Sequence, residues 1–127
     1  MTGDGGRAIA EVVAELRARE PIFHHPELGA TRADFEAMTA PDYWEVGASG
    51  RRYDREFIWT TLERRYAEEA PDVWETDDFE CRQLGPDTYL LTYQLRQDAR
   101  LSRRATVWRW TGREWQALYH QGTLVSA

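Results

Sequence analysis

The chain has 127 residues, 42% hydrophobic and 30% charged, with 6 Trp, 6 Tyr and 4 Phe. That length makes one domain, and so many aromatic residues exclude a disordered chain. A formal charge of −6 argues against a general nucleic-acid binder, and a single Cys excludes a disulfide framework or a Cys-rich zinc site.

Residues 1–6, MTGDGG, read as a loose arm before one domain over 7–127. Ile9, Val12, Val13 and Leu16 then repeat at helical spacing and predict a buried stripe. Pro21 limits that helix, and PIFHHPELGA is a connection. Thr31 and Asp34 are spaced as a capping box and open a short helix with Phe35 and Met38 inward, stopped at Pro41. Asp42 to Val46 is a short aromatic and β-branched strand, turned by Gly47 to Gly50. Asp54 can cap a third helix, from Arg55 to about Glu69, with Phe57, Ile58, Leu62 and Tyr66 as its apolar face. Strands follow over Val73–Leu84, Thr88–Gln97, Ser102–Thr111 and Glu114 to about Val125, the first broken from the second at Gly85-Pro86-Asp87 and the third ending at Gly112. The order α-α-β-α-β-β-β-β predicts an α+β fold, with helices on one face of an antiparallel meander.

All 16 basic residues are Arg. This composition, read as codon bias, removes Schiff-base and P-loop lysine chemistry. No apolar run approaches the ~20 residues of a membrane span. Met1 to Arg7 lacks an export signal's apolar core, so the cytoplasm is the expected compartment and no membrane partner is expected. The late strands carry bulky residues at both parities, which predicts two covered faces. Helices and a pocket would cover one, and a second copy of the chain part of the other, giving a homodimer through the sheet.

The element order and the segments DYWEVGASGRRYDREFI and VWRWTGREWQALYHQGT resemble the nuclear transport factor 2-like superfamily, which includes SnoaL-like cyclases, steroid delta-isomerases and domains of unknown function. The resemblance spans about residues 7–125. It implies a cone-shaped fold with three helices on a curved antiparallel sheet, a pocket between the third helix, the first strand and the concave sheet, and dimers packed through the sheet. It also implies a catalytic carboxylate in the first strand, near Glu45. The first helix has no Tyr for an oxyanion hole, which argues against a steroid isomerase.

Glu45 sits between Trp44 and Val46. Burial there would raise its pKa and make it a usable acid or base. The alternative is a Glu bonded to an Arg or a backbone turn. His120, beside Tyr119 and Gln121, could shuttle protons or tie the last strand to its neighbour. Trp44, Tyr53 and Trp108 are the expected walls of a ligand pocket. His24, His25 and Glu27 lack metal spacing, and no metal or cofactor is expected. Glu75, Asp77, Asp78 and Glu80 form an acidic strand, with the first pair expected on one face and the second on the other. Arg100, Arg103 and Arg104 form a basic patch that could hold an anionic ligand or pair with the acidic strand, and a cross-strand ion-pair ladder is the preferred reading. Gly3-Asp-Gly5-Gly6 follows no strand, and Gly47-Ala-Ser49-Gly50 lacks the glycine of a nucleophile elbow.

Two functions fit. One is an acid/base isomerase, cyclase or lyase acting on an apolar small molecule through Glu45 and His120. The other is a non-catalytic ligand-binding or dimerisation module.

Overall fold

The computed structural model describes residues 8–68 and 73–126. The arm expected at 1–6 and the stop expected at Pro71 lie outside the described residues. Three helices, α1 (Ile9–Arg17), α2 (Arg32–Met38) and α3 (Arg55–Ala67), accompany six strands. The strands are β1 (Thr39–Val46), β2 (Arg52–Asp54), β3 (Trp74–Gly85), β4 (Thr88–Gln97), β5 (Arg100–Trp110) and β6 (Trp115–Leu124). All join one sheet in the order β2-β1-β6-β5-β4-β3. The helices lie on its inner face, giving the expected α+β architecture.

The capping signals act as read. Thr31 and Asp34 make a reciprocal capping box at α2, and the Asp54 carboxylate accepts the Phe57 N–H at 2.8 Å to start α3. Arg55 ties α3 to the chain before it, donating to Thr39 Oγ1 at 3.0 Å and to the Glu36 carbonyl at 3.0 Å. Val12 and Leu16 carry the burial of α1, while Ile9 in the first turn stays 48% exposed. On α3 the buried face is Ile58, Trp59 and Leu62, whereas Phe57 is 47% exposed. The expected Ile58 and Leu62 are buried and Tyr66 packs against the core, but Trp59 takes the place expected of Phe57, which lines a cavity, so the face is rotated slightly.

The ladders β1–β2, β3–β4, β4–β5 and β5–β6 are antiparallel. The β1–β6 ladder is parallel, so the sheet is mixed. β1 begins at Thr39 and runs through Pro41, where its register against β6 shifts. Proline has no N–H to give a ladder, so the irregularity falls there. The three-residue β2 was invisible to alternation, being too short to show a period.

A bulge also rearranges the acidic strand. The register of β3 on β4 shifts between Asp77 and Glu80, with Asp78 at φ 59°. Glu75, Asp77 and Glu80 therefore face Arg96, Gln94 and Thr92 along one face. Strict alternation put Glu80 on the other face, and the extra residue overturns that. Two further shifts, in β3 near Gly85 and between β5 and β6 at Val107 and Trp108, add to the bending of the sheet around its helices.

Candidate functional site

A cavity of about 560 Å³ lies between α3, the segment after α1 and the inner face of the sheet. Residues Pro21 to His24 line one side. From α3 come Phe57, Ile58, Thr61, Leu62 and Arg65. The sheet supplies Glu45, Tyr53, Tyr93, Leu95, Gln97, Arg104 and His120.

The register explains why these side chains meet. Tyr53 lies opposite Glu45, Glu45 beside His120, and His120 opposite Thr106, so one row crosses four strands. Tyr93 and Arg104 face each other in a neighbouring row that continues to Gly122. Gly47 lets the Tyr53 ring lie against the β1–β2 turn, since a Cβ there would sit 3.0 Å from the ring edge.

Glu45 is half-buried. The Tyr43 hydroxyl donates to its Oε2 at 2.6 Å, and among the described residues nothing hydrogen-bonds Oε1. Burial raises the Glu45 pKa, while Tyr43, Arg104 and Arg65 pull it back. Tyr43 is itself raised well above the usual phenol by burial and by Glu45, so it keeps its proton and acts as a donor.

His120 is buried, and both ring nitrogens are engaged. Arg104 Nη1 lies 3.4 Å from Nε2, and Thr106 Oγ1 lies 2.7 Å from Nδ1. A guanidinium can only donate, so Nε2 accepts and Nδ1 carries the hydrogen to Thr106. The Thr106 side chain in turn bonds the Glu20 carboxylate. Burial, followed by Arg104 and His24, pushes the His120 pKa down to about 3. The ring is therefore neutral at physiological pH.

Glu20 anchors the far end of this chain at 1% exposure. It accepts from Tyr93 Oη at 2.6 Å, Trp108 Nε1 at 3.0 Å and the Ile22 N–H at 2.8 Å, besides Thr106. Burial raises its pKa and these four bonds oppose the rise.

Of the expected walls, Tyr53 lines the cavity and two Trp do not. Trp44 points to the outer face, 4.4 Å from the Tyr119 ring and under the Arg52 guanidinium. It adjoins Glu45 on one strand, so the two must face opposite ways. Trp108 is on the inner face but sealed beneath the cavity at 1% exposure, bonded to Glu20. His24 lines the cavity, whereas His25 bonds the Glu27 carboxylate and the Glu20 carbonyl, each at 2.8 Å. Among the described residues no three His, Cys, Asp or Glu are grouped to hold a metal ion. None of the described helices is long and apolar enough to cross a membrane.

No family model matches the sequence, and no curated protein is similar to it. Solved structures are similar. An NTF2-like protein from Cytophaga hutchinsonii superposes with a TM-score of 0.73 at 12% identity, covering 94% of this chain and 100% of that one. A protein from Streptomyces avermitilis, described as a candidate dehydratase of the NTF2-like family, gives 0.74 at 14% identity with the same coverage. A protein with a cystatin-like fold from Caulobacter vibrioides gives 0.69 at 16% identity, with 91% of each chain covered. The fold is nuclear transport factor 2-like.

Within this NTF2-like frame, sequence reasoning missed Glu20 and Arg65, and named Arg104 only as part of a basic patch. Arg104 had a usable signal. It adjoins Arg103 in a strand, so one of the two had to point inward, and Arg104 is the one in the inner row with Ser102 and Thr106. Arg103 lies in the outer row, opposite Gln94. Glu20 sits in a connection before Pro21, where no periodicity marks a side chain as buried.

Proposed function

We propose that this protein is an acid–base catalyst acting on a small, largely apolar molecule, with Glu45 as the proton carrier. The observation that carries the reading is the Glu45 carboxyl itself. It is desolvated in a ligand-sized cavity, held at Oε2 by Tyr43, and has Oε1 unengaged among the described residues. A carboxylate so placed can take a proton from a carbon beside a carbonyl and return it elsewhere, as an isomerase or cyclase does. A lyase would instead let a neighbouring leaving group depart. The enolate oxygen that forms in either case would be met by Arg104, a preorganised cation in the same cavity. Ile58, Leu62 and Leu95 supply the apolar surroundings. That one protein of like fold is described as a candidate dehydratase agrees with the lyase form of this reading. A reducing compartment such as the cytoplasm suits the free Cys81.

The base must be ionised, so kcat/KM should rise with pH through the raised Glu45 pKa and then level off. Glu45→Gln keeps the shape and removes the base. It should lower turnover at least ~10²-fold in a screen of enolisable and β-hydroxy carbonyl compounds, with the fold intact by circular dichroism. Full activity in Glu45→Gln would overturn the reading. The alternative, a non-catalytic binding module, is favoured by one observation: the neutral His120 leaves Glu45 without a second titrating partner in its row.

A further inference from the structure

We infer that the molecule held in this cavity carries a carboxylate beside its apolar body, and that Arg104 and Arg65 grip that carboxylate. The inference concerns the same cavity as the acid–base reading and rests on that reading only for where the molecule sits.

The chain is acidic, with 22 Asp and Glu against 16 Arg, yet the cavity reverses the balance. Arg65 and Arg104 line it with Glu45, and Glu45 is the carboxylate both act on. Neither guanidinium has a carboxylate within 4 Å among the described residues. Each is fixed by uncharged acceptors instead. Arg104 donates from Nε to Ser102 Oγ at 3.0 Å and from Nη1 toward His120. Arg65 donates from Nη2 to the Phe23 carbonyl.

Arg104 also lies flat over β6. A Cβ at Gly122 would come within 2.8 Å of its Cζ and Nη1, so glycine is what allows this close approach. A cation half-withdrawn from water without an ion partner is costly, and a docking anion offsets the cost. The planar guanidinium fork matches a carboxylate better than it matches a neutral carbonyl. At the other end Phe57 is 47% exposed at the cavity mouth beside Ile58 and Leu62, a surface that an apolar body would cover. A space of about 560 Å³ suits a molecule of ~10–15 non-hydrogen atoms.

Calorimetric titration of the full chain with matched acid and amide pairs tests this directly. The pairs are 4-phenylbutyrate with 4-phenylbutyramide, and octanoate with octanamide, at neutral pH and low salt. Each acid should bind about tenfold or more tightly than its amide. Arg104→Met and Arg65→Met should each bring that ratio toward one. Glu45→Gln removes a like charge and should tighten acid binding severalfold without helping the amide. The wild-type comparison needs no variant, so a misfolded Arg104→Met cannot obscure the result. If neither acid binds more tightly than its amide, the inference is overturned. Acid binding without any Glu45-dependent turnover would sink the acid–base reading and keep this one. Turnover of neutral ketones without preference for acids would do the reverse.

Discussion

A carboxylate closed off from water must find its hydrogen bonds among its neighbours, and Glu20 finds them on four groups: Thr106, Tyr93, Trp108 and the Ile22 amide. Replacing it with Gln turns an acceptor into a donor facing donors. Glu20→Gln should destabilise the protein by about 3 kcal/mol in urea unfolding at neutral pH. A loss under about 0.5 kcal/mol would show that the network is not what holds this corner. His120 gives a prediction about pH. Its folded pKa of about 3 lies below the ordinary 6.5. A depressed pKa contributes stability that is complete above pH 6.5 and is lost as pH falls through that value toward 3. The loss should approach roughly 1.4 kcal/mol per pH unit once the unfolded imidazole is protonated. Glu20 and Glu45 act in the opposite sense. Their raised pKa values contribute stability at low pH that is lost as pH rises above the usual carboxylate range. Urea unfolding from pH 7 down to about pH 5 should therefore show a slope that flattens in His120→Gln. Equal slopes in the two proteins would mean that the ring is already protonated in the fold.

Helix α3 separates stability from binding within two turns. Leu62 is buried at 3% exposure and Phe57 is 47% exposed, yet both line the cavity. Leu62→Ala should cost about 2–4 kcal/mol, while Phe57→Ala should cost under about 1 kcal/mol and still weaken ligand binding. Equal destabilisation by both would show that Phe57 belongs to the core. Removing the cap with Asp54→Ala should cost ~1 kcal/mol, read as a lower thermal midpoint. The limits of sequence reading also show at this scale. Caps, turns and the periods of α1, β4 and β5 were legible because each is local, written within a few residues. The rotation of the α3 face was not, because Phe57 and Ile58 are equally apolar and only the position of the cavity decides which is buried. The bulge at Asp78 was not legible either, and it moved Glu80 to the other face. Glu45 and Tyr53 could be picked out as polar or aromatic residues in apolar strands. Their meeting with Arg104 depends on the parallel β1–β6 pairing, a long-range event with no local mark.

Among the described residues no helix lies over the outer face of the sheet. That face carries half-exposed Trp44, Val46, Leu90, Ala105, Val107 and Tyr119 amid polar side chains. We propose that a second copy of the chain covers it. Light scattering should then give about twice the 14.8 kDa of one chain, and Val107→Asp should return the mass to that of one chain. A mass near 14.8 kDa for the unaltered protein at micromolar concentration would refute this. The strand order carries a further consequence, for how the molecule assembles. β6 is the last strand in sequence but lies inside the sheet, between β1 and β5. Until it inserts, β1–β2 and β3–β5 are separate ribbons, each with an open edge able to pair with another chain. Contacts of such high sequence separation form slowly. Insertion of the final strand both seals those edges and brings His120 to Glu45, so the cavity should be among the last parts of the protein to form. Protein that aggregates while folding should then do so before it can bind anything.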